Sequence, residues 1–317
     1  MYYRVEPSVL VPVSGVTSVV HIIDKSGPLV GWSAKKVAER ILEETPIAER
    51  FVEGTTKSLG WYLQQHITLE EFTRICMDAK LAPREHLEEA GDIGHQAHKW
   101  LEGYIQRELG IKQFHLALIS IQDEKVQSCC KASLDWMGKH NVRWLKTERI
   151  VYSKSFGYAG TLDGLALVDS CNDRLCCPVT FKDRRSLIDW KSSNYLYPEY
   201  LLQTAAYQYA EEEEFGITID DRWIIRLGKE DGKFESWHIE KECFTQDFEA
   251  FIHALQLYRT FNAIIDRMGT RRDYIKAETK RIKQEQKAEE KAAKEAAKAA
   301  LAETKKKIKK RKKDESK

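Results

Sequence analysis

The chain has 317 residues, of which 42% are apolar, so it can bury a substantial core as one large domain or as a domain with an appendage. It contains no run of about 18 or more apolar residues, and its first residues lack the layout of a signal or transit peptide. We therefore expect a cytoplasmic protein with no membrane partner. Seven cysteines are too few for a secreted disulfide scaffold, so we expect reduced thiols.

The net charge of +2 conceals an uneven distribution of charge along the chain. From Arg271 to Lys317 there are 19 basic and 9 acidic residues, whereas the residues before them include 32 basic and 40 acidic ones. The sequence therefore predicts an acidic body followed by a basic tail. From about Tyr274, alanine, lysine, glutamate and glutamine dominate with almost no apolar stripe, which predicts a solvated single helix or a fraying end.

The first third of the chain has the signals of helices. Ser33 is placed to cap an amphipathic helix over 34–42. Thr68 and Glu71 have the spacing of a capping box, which predicts another helix that opens at Thr68. We expect the whole segment 33–109 to be mainly helical.

The pattern changes to strands after about residue 140. Three segments rich in β-branched or aromatic residues predict strands at 142–152, 157–168 and 187–191. A helix is expected at 198–213, starting with proline, followed by a hairpin of 223–227 with 234–239 and a final helix at 245–268. A strand-centred core with helices before, between and after it indicates the α/β or α+β class.

Two short segments contain residues suited to metal chemistry. Asp163 lies in Gly-Thr-Leu-Asp-Gly on one predicted strand, and Asp189-Trp190-Lys191 lies on the next. Two carboxylates on neighbouring strands can bind Mg²⁺, with the backbone carbonyl of Trp190 as a further ligand. Lys191 would project from the same face as Asp189, where it could orient a water or offset charge on a phosphate. Alone, Asp-x-Lys is common, and an acid after Gly-Thr-Leu can be a simple turn residue.

Two other residues could complete a metal site, and each has a simpler explanation. His98 follows Gly94 in the first turns of an amphipathic helix, where it can reach a metal or serve as a hydrogen-bonded core histidine. Glu148, on the first of the three predicted strands, can be a second carboxylate near the metal. Its alternative is a surface acid paired with Lys146 or Arg149.

Gln203 and Tyr207 lie four residues apart on one face of the next predicted helix, where they can bind phosphate oxygens or the lysine, or belong to an ordinary helix.

In this order the motifs resemble the RecB-like, phage-type exonuclease branch of the PD-(D/E)XK nuclease superfamily, over about residues 90 to 210. The motif residues are Gly94, His98, Glu148, Gly160, Asp163, Asp189, Lys191, Gln203 and Tyr207. Each motif is permissive alone, whereas five in sequence with this spacing are specific.

The resemblance implies a restriction-endonuclease-like fold, in which helices flank a central mixed sheet, and a DNA exonuclease that requires Mg²⁺ or Mn²⁺. The implied metal ligands are His98, Asp163, Asp189 and the backbone carbonyl of Trp190. The implied catalytic residues are Asp163, Asp189, Lys191 as the catalytic lysine, and Glu148, which helps to hold the site. Gln203 and Tyr207 would support the lysine and the DNA strand.

The resemblance also implies a layout and a cellular setting. The mostly helical region 1–90 would be part of the nuclease module, 91–268 would be the nuclease core, and 269–317 would be a basic helical or disordered tail. The implied partners are single- or double-stranded DNA ends and proteins of recombination, repair or phage replication, in a bacterial or phage-infected cell. A structure-specific or restriction-type endonuclease of the same superfamily and a non-catalytic DNA-binding protein are the alternatives.

The cysteines do not follow the pattern of the relatives that carry an iron–sulfur cluster, because only Cys243 comes after the Gln-x-x-x-Tyr motif. We therefore expect no such cluster. A four-cysteine zinc site is the alternative use of the thiols, with Cys129, Cys130, Cys171 and Cys176 as ligands. Adjacent cysteines are awkward zinc ligands and no Cys-x₂-Cys pair exists, so we expect free thiols rather than structural zinc.

The basic run at 305–313 has three interpretations. It can bind phosphates without sequence preference, with an affinity that falls steeply with salt. It also has the composition of a nuclear-localisation patch, which is a common false positive. The third interpretation is a solubilising disordered end.

Overall fold

The structure is a computed structural model that describes residues 2–6, 9–23, 26–45, 67–111 and 121–314. Its strands are β1 (Tyr2–Glu6), β2 (Val9–Pro12), β3 (Ser14–Gly15), β4 (Arg143–Ser153), β5 (Tyr158–Val168), β6 (Arg184–Lys191), β7 (Asp221–Leu227) and β8 (Phe234–Glu240). Its helices are α1 (Val16–Val20), α2 (Ser26–Glu44), α3 (Leu69–Ala79), α4 (Ala82–Glu108), α5 (Glu124–Lys139), α6 (Glu199–Phe215) and α7 (Phe244–Asp314).

A six-stranded mixed sheet forms the centre of the first compact unit, Met1–Gln256. The strand order is β3-β5-β6-β7-β8, and β4 pairs with β5. The pairs β3–β5 and β6–β7 are parallel, while β4–β5, β5–β6 and β7–β8 are antiparallel. Helix α6 connects the parallel strands β6 and β7. The predicted class, a mixed sheet flanked by helices, is confirmed.

Strand β5 pairs with β4 along one edge and shares its other edge between two strands. On the first edge, β4 pairs with β5 from Tyr158 to Leu167. On the second edge, β3 pairs with residues 158–159 and β6 pairs only from Gly164 onward. Among the described residues, 160–163 therefore have no strand partner on this second edge. We call this segment the β5 gap.

Three fully buried tryptophans fill the space between the sheet and α5. Trp136 of α5 meets Trp190 of β6 and Trp223 of β7 in tilted, edge-on contacts, each with ring centroids 5.5 Å apart. Trp190 therefore faces α5. Because side chains alternate along a strand, Asp189 and Lys191 face the opposite side of β6, where α6 lies.

A buried arginine holds α6 and the start of α7 to the sheet. The guanidinium of Arg222, on β7, donates hydrogen bonds to the Leu201 carbonyl at 2.9 Å and to the Thr204 hydroxyl at 3.2 Å, both on α6. It also forms an ion pair with Asp247 in the first turn of α7. An unpaired charge at this depth would cost several kcal/mol, so these contacts determine where both helices pack.

Most predicted elements of the body are observed, with changes of a few residues at their ends, but the helix of Gly94 and His98 begins at Ala82 and not near Gly94. Thr68 caps α3 through a complete capping box with Glu71. The predicted cap at Ser33 is wrong, because α2 already begins at Ser26. Pro28 is tolerated there, since the first helical turn needs no N–H donor. No strand is predicted in the first 15 residues, where β1, β2 and β3 form.

The second unit, Leu257–Lys317, is the continuation of α7. The helix predicted at 245–268 does not end there but continues to Asp314, because the following residues have high helix propensity. Side chains at 269–284 are nearly all exposed, as the missing apolar stripe predicts. The basic side chains at 305–313 lie outside the described part of the structure, and the domain boundaries after residues 90 and 268 remain predictions.

Within the described part of the chain, no helix combines the length and the apolar character needed to cross a bilayer.

Candidate active site

Asp163 lies in the β5 gap and connects it to β6. Its Oδ2 accepts a hydrogen bond of 2.8 Å from the backbone N–H of Trp190. The last paired positions of β5 and β6 are Gly164, next to Asp163, and Ile188, two residues before Trp190. The carboxylate thus replaces a strand carbonyl as the acceptor for this N–H, at the point where the two backbones no longer pair.

Three possible metal ligands converge at this point: His98 of α4, Glu148 of β4 and Asp163 of β5. One ligand atom of each lies within 4.8 Å of the other two, and we call these residues the ligand set. The Nδ1 of His98 is 3.6 Å from Oδ1 of Asp163. Carboxylate oxygens and an imidazole nitrogen are suitable ligands for Mg²⁺ or Mn²⁺. The residues present therefore fit a divalent cation.

Glu148 reaches the ligand set from an unusual backbone conformation. It stands opposite Asp163, between two paired positions of the β4–β5 ladder, and its φ of 46° lies in the left-handed region. Such strain costs on the order of 1–3 kcal/mol and tends to occur at functional sites. Arg149, one of the alternative surface partners for Glu148, instead places its Nε 2.9 Å from an Oε of buried Glu211.

A second set of side chains runs from β6 to α6, and we call it the lysine chain. The Nζ of Lys191 forms a 2.6 Å ion pair with buried Asp189. The same Nζ donates a hydrogen bond to Oε1 of Gln203 at 3.3 Å, and Nε2 of Gln203 donates to the Tyr207 hydroxyl at 3.0 Å. The ammonium therefore has a defined position, held from both the strand and the helix.

The structure thus arranges the predicted site residues as two adjacent sets. Asp189 is not part of the ligand set, and its carboxylate forms the ion pair with Lys191. The two sets meet at Trp190, whose N–H binds Asp163 and whose chain neighbours are Asp189 and Lys191. The Trp190 carbonyl as a metal ligand, and the catalytic roles of all these residues, remain predictions.

The three residues of the ligand set have pKa values that their surroundings shift in different directions. Burial opposes a charge on His98, but the neighbouring Asp163 carboxylate outweighs it and raises the pKa of His98 to about 8. Burial and the Asp163 charge raise the pKa of Glu148 to about 7. Although burial alone would raise it, the pKa of Asp163 is held below its usual value, mainly by His98. At neutral pH and without a cation, His98 is therefore protonated and Glu148 only partly ionised.

In the lysine chain, neighbouring charges set the pKa values of Asp189 and Lys191. Burial raises the pKa of Asp189, and the Lys191 charge offsets this only in part. Burial would favour a neutral amine at Lys191, but the two aspartates hold its pKa above the usual value. Lys191 is consequently an ammonium at neutral pH.

Both motif glycines mark close approaches around the site. A Cβ on Gly94 would lie 2.5 Å from Oγ of Ser192, just after β6. A Cβ on Gly160 would lie 2.4 Å from the ring of Tyr207. Real Cβ atoms do not come this close to other atoms. At Gly160 the neighbour is a buried aromatic ring, so glycine there lets α6 approach β5, whereas the Ser192 hydroxyl beside Gly94 can rotate away.

The sequence motifs missed a row of tyrosines beside the lysine. The Tyr200 ring lies below Nζ of Lys191, 4.6 Å from its centroid. Its centroid is 5.7 Å from that of Tyr197, which is 6.3 Å from that of Tyr195. Tyr200 stands three residues before Gln203 on α6, so the helical spacing of these two residues was an available signal.

Comparison with known proteins finds weak likenesses to solved structures. No protein-family model matches the sequence, and no curated protein matches it. Among solved structures, LHK-Exo in complex with dAMP has 14% identity and a TM-score of 0.29, over 55% of this chain and 92% of that chain. The alkaline exonuclease LHK-Exo from Laribacter hongkongensis has 13% identity and a TM-score of 0.28 over the same shares. Likenesses at this level carry no weight for function, which has to be inferred from the site.

The raised pKa of Glu148 predicts a pH-dependent stability of the metal-free protein. The folded protein holds the Glu148 proton up to about pH 7, whereas the unfolded chain releases it near 4.5, so stability is lost as pH rises between these values. We expect Glu148→Gln to be more stable than the wild type by about 1–2 kcal/mol at pH 8, a value reduced by partial solvation of the carboxyl.

Urea unfolding in a chelator at pH 8 and at about pH 5 measures this difference, which should largely disappear at the lower pH. Glu249→Gln, at an exposed position of α7 beyond its first turn, is the matched control and should change stability little at either pH. A gain for Glu148→Gln that is equal at both pH values would contradict the role of ionisation.

Proposed function

We propose that this chain is a Mg²⁺- or Mn²⁺-dependent deoxyribonuclease of the RecB-like branch of the PD-(D/E)XK superfamily. It acts as an exonuclease that hydrolyses phosphodiester bonds in DNA recombination, repair or phage replication. The hydrogen bond from Trp190 to Asp163 supports this best, because it joins the ligand set to the lysine chain. A divalent cation next to a fixed ammonium suits the charge that develops during phosphodiester hydrolysis.

In this proposal the ligand set holds the cation, with Asp189 and the Trp190 carbonyl as further ligands. A bound Mg²⁺ or Mn²⁺ would neutralise charge on the scissile phosphate and make a water nucleophilic. His98 and Glu148 have pKa values near or above neutral, so both give up protons when they bind a metal. Metal affinity should therefore increase from mildly acidic to mildly alkaline pH.

Lys191 supplies a fixed positive charge in this proposal. In the metal-free protein its neighbouring carboxylates hold its pKa above the usual value and keep it protonated. Asp189 and Gln203 hold Nζ in place, and Tyr207 in turn holds the Gln203 amide. A charge held in place before the reaction needs no reorganisation when negative charge develops on the phosphate oxygens.

The tyrosine row offers a surface for the bases of the bound strand. Tyr195 is 68% exposed, and the row leads from it through Tyr197 to Tyr200 beneath the lysine. Aromatic rings stack on bases of any sequence, which suits an enzyme that degrades DNA progressively. This contact is local, so the overall acidic charge of the body does not oppose it.

The first test removes the ammonium. We expect Lys191→Ala to lower the rate of degradation of end-labelled single- and double-stranded DNA by about 10²–10³-fold in Mg²⁺ or Mn²⁺. Folding should be kept, because Asp189 can take up a proton once its partner is gone. Circular dichroism and DNA-binding measurements check that both properties survive.

Lys182→Ala is the matched control, since Lys182 is an exposed lysine in the loop before β6. It should degrade DNA at the wild-type rate. If Lys191→Ala is equally active, the Asp189–Lys191 pair is structural and the non-catalytic alternative gains support.

The second test concerns the need for a DNA end. We expect the wild-type protein to degrade a linear DNA and to leave the covalently closed circle of the same sequence intact, since an exonuclease starts from an end. Linear DNA with both ends blocked should also survive. Gel analysis of the three substrates with equal enzyme and metal measures this, and cutting of the closed circle would indicate the endonuclease alternative.

The third test concerns base stacking. We expect Tyr195→Ala to raise KM for single-stranded DNA by about tenfold with little change in kcat, since stacking contributes about 1–3 kcal/mol per base. Tyr195→Phe keeps the ring and should behave as the wild type. A loss of similar size in Tyr195→Phe would assign the effect to the hydroxyl group instead.

A further inference from the structure

The loop between β5 and β6 brings three cysteines against a histidine at the end of α5. The Sγ atoms of Cys176 and Cys177 lie 3.5 and 3.6 Å from Nε2 of His140. The Sγ atoms of Cys171 and Cys177 lie 3.5 Å apart. All four ligand atoms lie within 4.8 Å of one another, and we call these residues the thiol cluster.

These separations are those of a tetrahedral metal site. Zinc binds thiolate sulfur at about 2.3 Å and imidazole nitrogen at about 2.0–2.1 Å, which places tetrahedral ligand atoms about 3.5–3.8 Å apart. Two S–N distances and one S–S distance fall at the lower end of this range. The other ligand atoms lie within 4.8 Å of one another, so a zinc ion fits once the sulfur atoms move inward.

His140 is oriented as a metal ligand. Its Nδ1 lies 2.9 Å from the Trp136 carbonyl, which can only accept a hydrogen bond, so Nδ1 carries the proton. The lone pair is thereby left on Nε2, the atom that faces the sulfurs. The ring is fully buried. A backbone carbonyl that fixes the tautomer in this way is the usual outer partner of a metal-binding histidine.

The loop backbone turns both adjacent cysteines toward His140. The carbonyl of Asp173 accepts hydrogen bonds from the N–H groups of Cys176 at 3.2 Å and Cys177 at 2.7 Å. The N–H of Cys171 lies 3.3 Å from Sγ of Cys177, so it can donate to a thiolate there. Although Cys176 and Cys177 are adjacent in sequence, the tight turn brings both of their sulfur atoms next to Nε2 of His140.

The four-cysteine zinc site, which the sequence offered as the less favoured alternative to free thiols, is not formed. Cys129 and Cys130 are buried on α5 within the apolar core, and the Cys129 thiol points to the Leu227 carbonyl at 3.7 Å. The loop cysteines have His140 and Cys177 as partners instead. Neither of these two residues belongs to the four-cysteine set that the sequence suggests.

We propose that the thiol cluster is a structural Cys₃His zinc site. Four protein ligands close the tetrahedron and leave no position for a substrate, which distinguishes a structural site from a catalytic one. The ion would join the β5–β6 loop to the C-terminal end of α5. His140 stacks on Trp136 at 4.8 Å, and Trp136 contacts Trp190, so the site supports the core beneath the candidate active site. The proposal does not depend on nuclease activity.

Metal content and cobalt absorption test this proposal on the full chain, purified with a reductant and with zinc in the medium. We expect about one tightly bound zinc per chain. Replacement by Co²⁺ should produce thiolate-to-metal charge-transfer absorption, which a carboxylate and imidazole site cannot give. Cys177→Ser should lose this absorption and at least about tenfold of the zinc. Asp163→Ala, which alters the ligand set, and Cys243→Ser, an exposed thiol, should keep both.

Three results would overturn the proposal. They are zinc below about a tenth of an equivalent in the wild type, full zinc content in Cys177→Ser, and a Cys171–Cys177 disulfide found by mass spectrometry in the reduced preparation. If Cys177→Ser does not fold, thiol titration of the wild type decides. Zinc should then leave as about three thiols react, and its release without thiol modification would also contradict the assignment.

Discussion

Where β5 and β6 cease to pair, the Asp163 carboxylate accepts the hydrogen bond of a β6 backbone N–H that a strand carbonyl would otherwise accept. The candidate site is built around this hydrogen bond. Because β3 and β6 share one edge of β5, the β5 gap exposes Asp163 to the N–H of Trp190. That single bond sets the separation between the ligand set and the lysine chain. A continuous ladder would satisfy the same N–H with a carbonyl and would leave the carboxylate without this anchor.

Charge balance explains why the metal-free site can fold at all. Three acids and a histidine crowd into a partly buried space, and each arrangement of charges there costs desolvation energy. Asp163 is compensated by His98, Asp189 by Lys191, and Glu148 by retaining a proton near neutral pH. A divalent cation in the proposed enzyme would take over the compensation that protons provide in its absence.

The two proposed metal sites differ in ligand chemistry. The ligand set offers carboxylates and an imidazole, which suit Mg²⁺ or Mn²⁺, whereas the thiol cluster offers sulfur, which suits zinc. The β5–β6 loop contains the three cysteines of the thiol cluster, and it also joins the strand of Asp163 to that of Asp189. His140 stacks on Trp136, and Trp136 meets Trp190 edge-on, so a continuous row of rings leads from the thiol cluster to β6.

Sequence alone determined which residues share a face of one element, because that depends only on local periodicity. The i, i+2 spacing of Asp189 and Lys191 and the i, i+4 spacing of Gln203 and Tyr207 were therefore readable, as were the mixed α/β class and most element positions. Only the tertiary structure decided which elements meet. His140 lies 36 residues before its cysteine partner, and no local pattern connects them. The same holds for the strained backbone of β4 and for the strands before α1, whose pairing depends on the assembled sheet, since contacts between distant segments follow from packing and not from spacing.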